Sequence, residues 1–328
     1  MATEDNSPLM AASPISIVGC PRSGTALLRN LLRSHPNLTF PDESHFIPAF
    51  YTAYGDPRSD GEARRLGAKI LGLFWVRNWG MDLAPEAFAG CRTFRDVLCR
   101  LYGEWARREN KPRWGDKTPQ YVTAIPLLRK IFPEAKIIHI YRDGRDVALS
   151  WLRHQMEPRN LYRAASLWKE RVETGREAGR KLSADTYAEV CYERLLENTR
   201  AVMRRVCDFI EEPFREAVLT PTPLPVRPRV TLHKQQPIRG WTTVMLTNAA
   251  KWRTEMTDAD RILFESVAGD LLEALGYEAA GPRRRVLLPE RLFWRAHHAA
   301  LYTWTRLRSP YLRERLASFL RMRAAGWR

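Results

Sequence analysis

Apolar residues in this chain recur at two rhythms, and the switches between them predict its elements. A short β-branched run at Ile15, Ile17 and Val18 meets Gly19 and turns through Cys20 to Ser23. It then enters a segment whose leucines fall at helical spacing up to Ser34. The order strand, loop, helix returns at residues 135–141, where A-K-I-I-H-I-Y runs into R-D-G-R-D-V-A-L-S-W. A further strand at 186–192 leads into a helix that the pattern carries from Glu193 to Ile210. Residues 46–110 show helical patterns with no evident chemistry, suited to packing and to shaping an acceptor pocket. W-G-D-K-T-P, at 114–119, reads as a stiff polar cluster between helical segments. Pro36 and Pro41 break the first helix, and Ser44 reads as the cap of the next. Thr257 starts an amphipathic run to Leu275 that Gly276 stops. Strands alternating with helices predict an α/β fold whose loops open at the carboxyl edge of a parallel sheet, where such proteins bind ligands.

Six prolines between Glu212 and Gly240 make that stretch an irregular connection, long enough to cover a site. Residues 1–13 read as a flexible lead-in, 14–278 as the body, and 279–328 as an arginine-rich helical extension. Its two helices, Pro289–Arg308 and Pro310–Arg323, carry Leu292, Phe293, Trp304, Leu307, Leu316 and Phe319 among arginines. They fit either a solvated face with its apolar side on the body or an element that binds an anionic surface.

Composition narrows the class. A chain of 328 residues, 45% apolar and 27% charged, is that of a soluble, enzyme-sized protein. Cys20, Cys91, Cys99, Cys191 and Cys207 are scattered and odd in number, which suits neither a disulfide framework nor a zinc knuckle. With no secretory pattern at the start and no 18-residue apolar run, a cytoplasmic compartment is expected. The net charge is +16, but residues 283–328 hold 12 arginines and 2 glutamates. Most of the excess is therefore local, and with no nucleic-acid motif it predicts no specific nucleic-acid partner.

The chemistry concentrates in the loops. Gly19 and Gly24 have the spacing of a nucleotide P-loop, yet Thr25 stands where the Walker lysine would be and Ala26 where the magnesium-binding hydroxyl would be. Backbone N–H groups, a helix N-terminus and Arg22 remain, a set suited to a phosphate or sulfate handled without a metal. A glycine turn there also serves packing alone. Arg142 and Ser150, two helical turns apart, suit a second phosphate, although a strand-end arginine is often only solvated. Asp42 and Glu43 sit at a loop-to-helix junction, where acids also simply favour a helix N-terminus. Lys117 is either an aimed cation or an exposed loop residue.

Taken together, residues 14–278 resemble the sulfotransferases that use 3′-phosphoadenosine 5′-phosphosulfate (PAPS), the bacterial and tyrosylprotein members in particular. G-C-P-R-S-G-T is similar to the family's 5′-phosphosulfate loop and R-D-G-R-D-V-A-L-S to its 3′-phosphate motif. The resemblance implies a P-loop-type three-layer fold, a central parallel sheet flanked by helices. It implies that Arg22, Ser23, Gly24, Thr25 and Ala26 hold the 5′-phosphosulfate and that Arg142 and Ser150 hold the 3′-phosphate. Tyr192, in Y-E-R-L-L, matches a tyrosine near the nucleotide, and Lys251 falls near a late basic contact. Glu43, in P-D-E-S, lies 21 residues beyond Arg22, where the tyrosylprotein enzymes carry their base. Pro41-Asp42 replaces their Gly-Glu, so Asp42 and His45 are the alternatives. Lys117 matches the lysine that assists the leaving group. The cytosolic small-molecule enzymes use instead a lysine in the first loop and a histidine base. The implied activity is metal-independent, in-line sulfuryl transfer from PAPS to a hydroxyl of a sugar, lipid, tyrosine or small molecule, releasing 3′-phosphoadenosine 5′-phosphate (PAP). Two rival readings stay open: a P-loop kinase, and a non-catalytic module that meets a membrane or polyanion through its arginines.

Overall fold

In the computed structural model, the described residues are 13–154, 158–224, 244–279 and 281–308. They include five strands: β1 (Ile15–Gly19), β2 (Leu38–Thr39), β3 (Arg113–Lys117), β4 (Lys136–Tyr141) and β5 (Tyr187–Cys191). All pair in parallel, in the spatial order β2-β3-β1-β4-β5. Side chains alternate across a strand, and the two faces of this sheet are sorted accordingly. Ile15 and Ile17 of β1 join Ile138 and Ile140 of β4 in one core, with Leu27, Leu28, Leu31 and Leu32 of the helix Thr25–Arg33 and Val202, Met203 and Val206 of the helix Thr199–Phe209. Val18 and Ile137 face a second core, built with Phe94, Leu98 and Leu101 of the helix Phe94–Arg108. Helices thus cover both faces, which makes the three-layer α/β arrangement expected from the sequence.

Three local expectations are corrected. Residues 113–117 form a buried strand between β2 and β1, not a loop. Gly, Asp and Lys are poor strand formers, but partners remote in sequence satisfy their polar groups here. Lys117 pairs with Glu43, Asp116 accepts from two hydroxyls, and Arg113 Nε donates to the Ser13 carbonyl at 2.9 Å. The helix expected from 193 to 210 is two helices, Tyr192–Glu197 and Thr199–Phe209. Asn198 divides them, its Oδ1 accepting from the Ala201 N–H at 3.1 Å as the cap of the second. Ser44 caps nothing: the next helix begins at Ile47, and the Ser44 side chain turns into the protein.

The described residues gather into two units. One comprises 13–142, 171–224 and 244–249 and contains the five strands described; the other comprises 143–154, 158–170, 250–279 and 281–308. In the second, Arg145 is buried with Asp143 (2.7 Å) and Glu265 (2.8 Å), its guanidinium over the Trp252 ring. Thr257 caps the helix Asp258–Ala274, as expected. The helix Leu288–Arg308 is anchored where Asn160 Nδ2 donates to the Trp294 carbonyl at 2.8 Å. The lead-in through residue 12, residues 225–240 of the proline-rich connection and the expected second C-terminal helix (310–323) lie outside the described residues.

Candidate active site

Parallel strands end on one edge, so the residues that follow them converge there. Gly19, Lys117 and Tyr141 close β1, β3 and β4, and Ile17 sits beside Lys117 as Gly19 does beside Ile140. The segments after the strands carry Arg22, Glu43, Arg142 and Tyr192, so four separate motifs meet at one sheet edge.

The first loop is built for close approach. A Cβ on Gly24 would lie 2.2 Å from the Tyr192 ring, and Gly24 has a φ of +92°. Arg22 takes a left-handed φ of +77°, a strain of about 1–3 kcal/mol for a non-glycine residue. The Ser23 N–H closes the turn on the Cys20 carbonyl at 3.1 Å. The helix Thr25–Arg33 then starts with no side-chain cap and no acid in its first turn, which leaves its leading amides to an anion. Ser23 Oγ is fully buried and has no hydrogen-bond partner among the described residues. Burial and the neighbouring Arg142 lower Arg22 to about 10, against the pull of Glu43 and Tyr192, and it stays a cation at neutral pH. An orphaned hydroxyl, open amides and a charged guanidinium fit the phosphosulfate that the resemblance implies.

The second cluster holds Glu43. Its carboxylate is ion-paired with Lys117 Nζ and accepts from His45 Nε2 at 2.9 Å. Burial pushes this carboxyl up, but Lys117 and then His45 outweigh it and hold it well below the usual carboxylate range. His45 has a left-handed φ of +58° and tilts against the Trp75 ring, 4.6 Å between centroids. Asp42 takes a different direction, 61% exposed and 3.5 Å from Arg29.

Behind the pair lies a buried hydroxyl network. Ser44 Oγ donates to Asp116 Oδ2 at 2.8 Å and contacts Tyr121 Oη at 2.8 Å, while the Ser44 N–H donates to Thr118 Oγ1 at 3.1 Å. Tyr102 Oη donates to the same Asp116 oxygen at 2.7 Å. Burial raises the Asp116 carboxyl above its ordinary value, although these hydroxyls pull it back. None of Ser44, Tyr102, Asp116 or Tyr121 stood out in the sequence as a site residue. Only the adjacency of Ser44 to Glu43 and of Asp116 to Lys117 pointed there.

A third cluster joins the loops after β1, β4 and β5. Arg142 Nη1 donates to the Arg22 carbonyl at 3.3 Å, Nη2 donates to the Asn248 carbonyl, and the guanidinium lies 4.6 Å from the Tyr192 ring centre. Tyr192 Oη accepts from Asn248 Nδ2 at 2.7 Å. Asn248, which follows the proline-rich connection, was not legible as a partner. Ser150 and Lys251 belong to the other unit. There the Trp252 N–H donates to Asp146 Oδ1 at 2.9 Å, which ties the Lys251 segment to the helix Gly144–Arg153 one turn from Ser150.

Comparison with known proteins places this architecture. The chain is 25% identical over 211 residues to protein-tyrosine sulfotransferase A of Caenorhabditis elegans and 26% identical over 211 residues to the protein-tyrosine sulfotransferase of Drosophila melanogaster. Each match covers 62% of this chain, but only 51% and 39% of those proteins' own lengths. Among solved structures, the sulfotransferase domain of the Synechococcus PCC 7002 olefin synthase superposes with a TM-score of 0.57 at 27% identity, over 81% of this chain and 96% of that one. The family model described as Sulfotransferase family matches residues 14–216. With that match spanning more than half its length, the chain belongs to the sulfotransferase family.

Proposed function

We propose that the protein transfers a sulfuryl group from PAPS to an acceptor hydroxyl. The observation that carries the reading is the Glu43–Lys117 pair at the sheet edge that also bears the anion-fitted loop. When bound, PAPS supplies the electrophilic sulfuryl group and departs as PAP. Arg22, Ser23 and the amides from Gly24 to Ala26 hold the 5′-phosphosulfate; Arg142, with Ser150, holds the 3′-phosphate; Tyr192 and Lys251 complete the nucleotide contacts. Glu43 accepts the acceptor's proton. Lys117 stabilises the charge that grows on the bridging oxygen, and Arg22 stabilises that on the sulfonyl oxygens. Each well-aimed donor contributes roughly 3–4 kcal/mol to the transition state.

The pairing gives the base a built-in control. While Lys117 is bonded to Glu43, the carboxylate is a weak base. Lys117 is the strongest of the influences lowering Glu43, so the carboxylate would become more basic were the ammonium drawn to the leaving group. The relatives named for protein tyrosine make a tyrosine hydroxyl one candidate acceptor, beside sugars, lipids and small alcohols or phenols.

Calorimetric titration with PAP in EDTA, against ADP and against ATP with Mg²⁺, tests the reading. Tight, metal-independent preference for PAP supports it. Preference for ATP with Mg²⁺ would favour a kinase instead.

A further inference from the structure

Two contacts from one neighbouring segment, 159–160, anchor the helix Leu288–Arg308. Trp294 accepts from Asn160 Nδ2 at 2.8 Å, and His298 Nδ1 accepts from the Arg159 N–H at 3.2 Å. Residues 294 and 298 lie four apart and share a face. The opposite face, at helical spacing, presents Pro289, Leu292, Phe293, Ala296, Ala300 and Trp304, every one of them exposed. Leu292, Phe293 and Trp304 are 55%, 59% and 55% exposed, and Leu287 and Leu288, just before them, 60% and 67%. Such a contiguous apolar stripe has a purpose beyond the scattered surface leucine.

Charge identifies what covers it. Arg295 is exposed at the edge of the stripe, Arg291 is exposed toward the anchored side three residues before Trp294, and Arg283 to Arg285 precede the stripe, Arg283 being paired with Glu273. Glu290, the acid nearest them, is already held by Arg284 through two contacts of 2.6 Å. A second copy seated face to face would bring these arginines against the same set. Residues 309–328 add five more arginines and one glutamate, so folding them onto the stripe has the same cost. An anionic lipid surface matches both features, with acyl chains for the apolar face and headgroups for the arginines. Among the described residues no helix is long and apolar enough to cross a membrane.

We infer that residues 283–308 form a peripheral docking element that seats the protein on an anionic membrane through the Leu292, Phe293 and Trp304 face. The inference is independent of the assignments at the sheet edge. The test is co-sedimentation of the full-length protein with vesicles of phosphatidylcholine alone and of equal parts phosphatidylcholine and phosphatidylglycerol. The expected result is at least roughly tenfold stronger binding to the anionic vesicles. The L292E/F293E variant should lose that binding while keeping its circular dichroism spectrum and its affinity for PAP. Equal binding to both vesicle types, or full retention by the variant, overturns the proposal. So does a wild type that ignores vesicles but forms a dimer that the variant does not.

Discussion

The Ser44 hydroxyl donates to Asp116 Oδ2 at 2.8 Å, and these two residues are the chain neighbours of Glu43 and Lys117. The loop after β2 is thereby fastened to the end of β3 by a bond one residue away from the ion pair. A carboxylate placed on a loop would otherwise wander against a lysine placed on a strand; the buried network removes that freedom.

Ser44→Ala should therefore act on both stability and turnover. It leaves Asp116 buried with one hydroxyl donor fewer, a loss of about 1–3 kcal/mol in denaturant unfolding. Turnover should fall on the order of tenfold to hundredfold as Glu43 loses its register with Lys117. PAP affinity should be unchanged, since no group that holds the nucleotide is touched. A stability loss with wild-type turnover would make the network purely structural.

Glu43→Gln and Lys117→Ala should each slow sulfuryl transfer by roughly 10²–10³-fold while PAP affinity stays within a few fold. Single-turnover measurement at saturating PAPS separates the chemical step from binding. Wild-type turnover in either variant would remove that residue from the chemistry.

The pH dependence of Glu43 follows from its neighbours. Its folded-state value is depressed, so its contribution to stability is present above the ordinary carboxylate range and is lost as pH falls through the lower folded value. The stability gap between wild type and Glu43→Gln should accordingly narrow in acid. In Lys117→Met the Glu43 carboxyl should titrate higher than in wild type, because the leading lowering influence is gone. Carbon-13 NMR of the carboxyl reads this directly, and an unmoved titration would separate the two residues.

Arg142→Ala should weaken PAP binding by tenfold or more and ADP binding much less, about 1.4 kcal/mol of preference for the 3′-phosphate at the lower bound. The guanidinium also ties the Arg22 carbonyl to the Asn248 carbonyl, so some loss shared by both nucleotides is expected. Equal loss for the two would leave it the tie alone.

What the sequence made legible follows the kind of signal each residue gives. β1 and β4 announced themselves because their apolar side chains are buried by neighbours of the same kind, which periodicity reports. β3 did not, because Asp116 and Lys117 are satisfied by Ser44, Tyr102 and Glu43, and pairing across such distances leaves no local trace. Arg22, Glu43 and Lys117 were singled out through motifs, and the geometry gathers them at one edge. Asn248, eight residues beyond the proline-rich connection, carried no pattern that marked it.

Gly24 shows how tightly the first loop is built. Its φ of +92° disfavours any side chain, and a Cβ there would meet Tyr192 Cδ2 at 2.2 Å. The ring has little room to yield, with its hydroxyl bonded to Asn248 and its face under Arg142. Gly24→Ala should thus cost the backbone strain of about 1–3 kcal/mol plus the clash, and should weaken PAP binding. The two costs separate in a cycle. Tyr192→Ala opens the space but leaves φ unchanged, so the double variant should be more stable than the sum of the singles by about 0.5–3 kcal/mol. Strict additivity would assign the whole effect to the backbone and leave the Tyr192 ring with no part in shaping the loop.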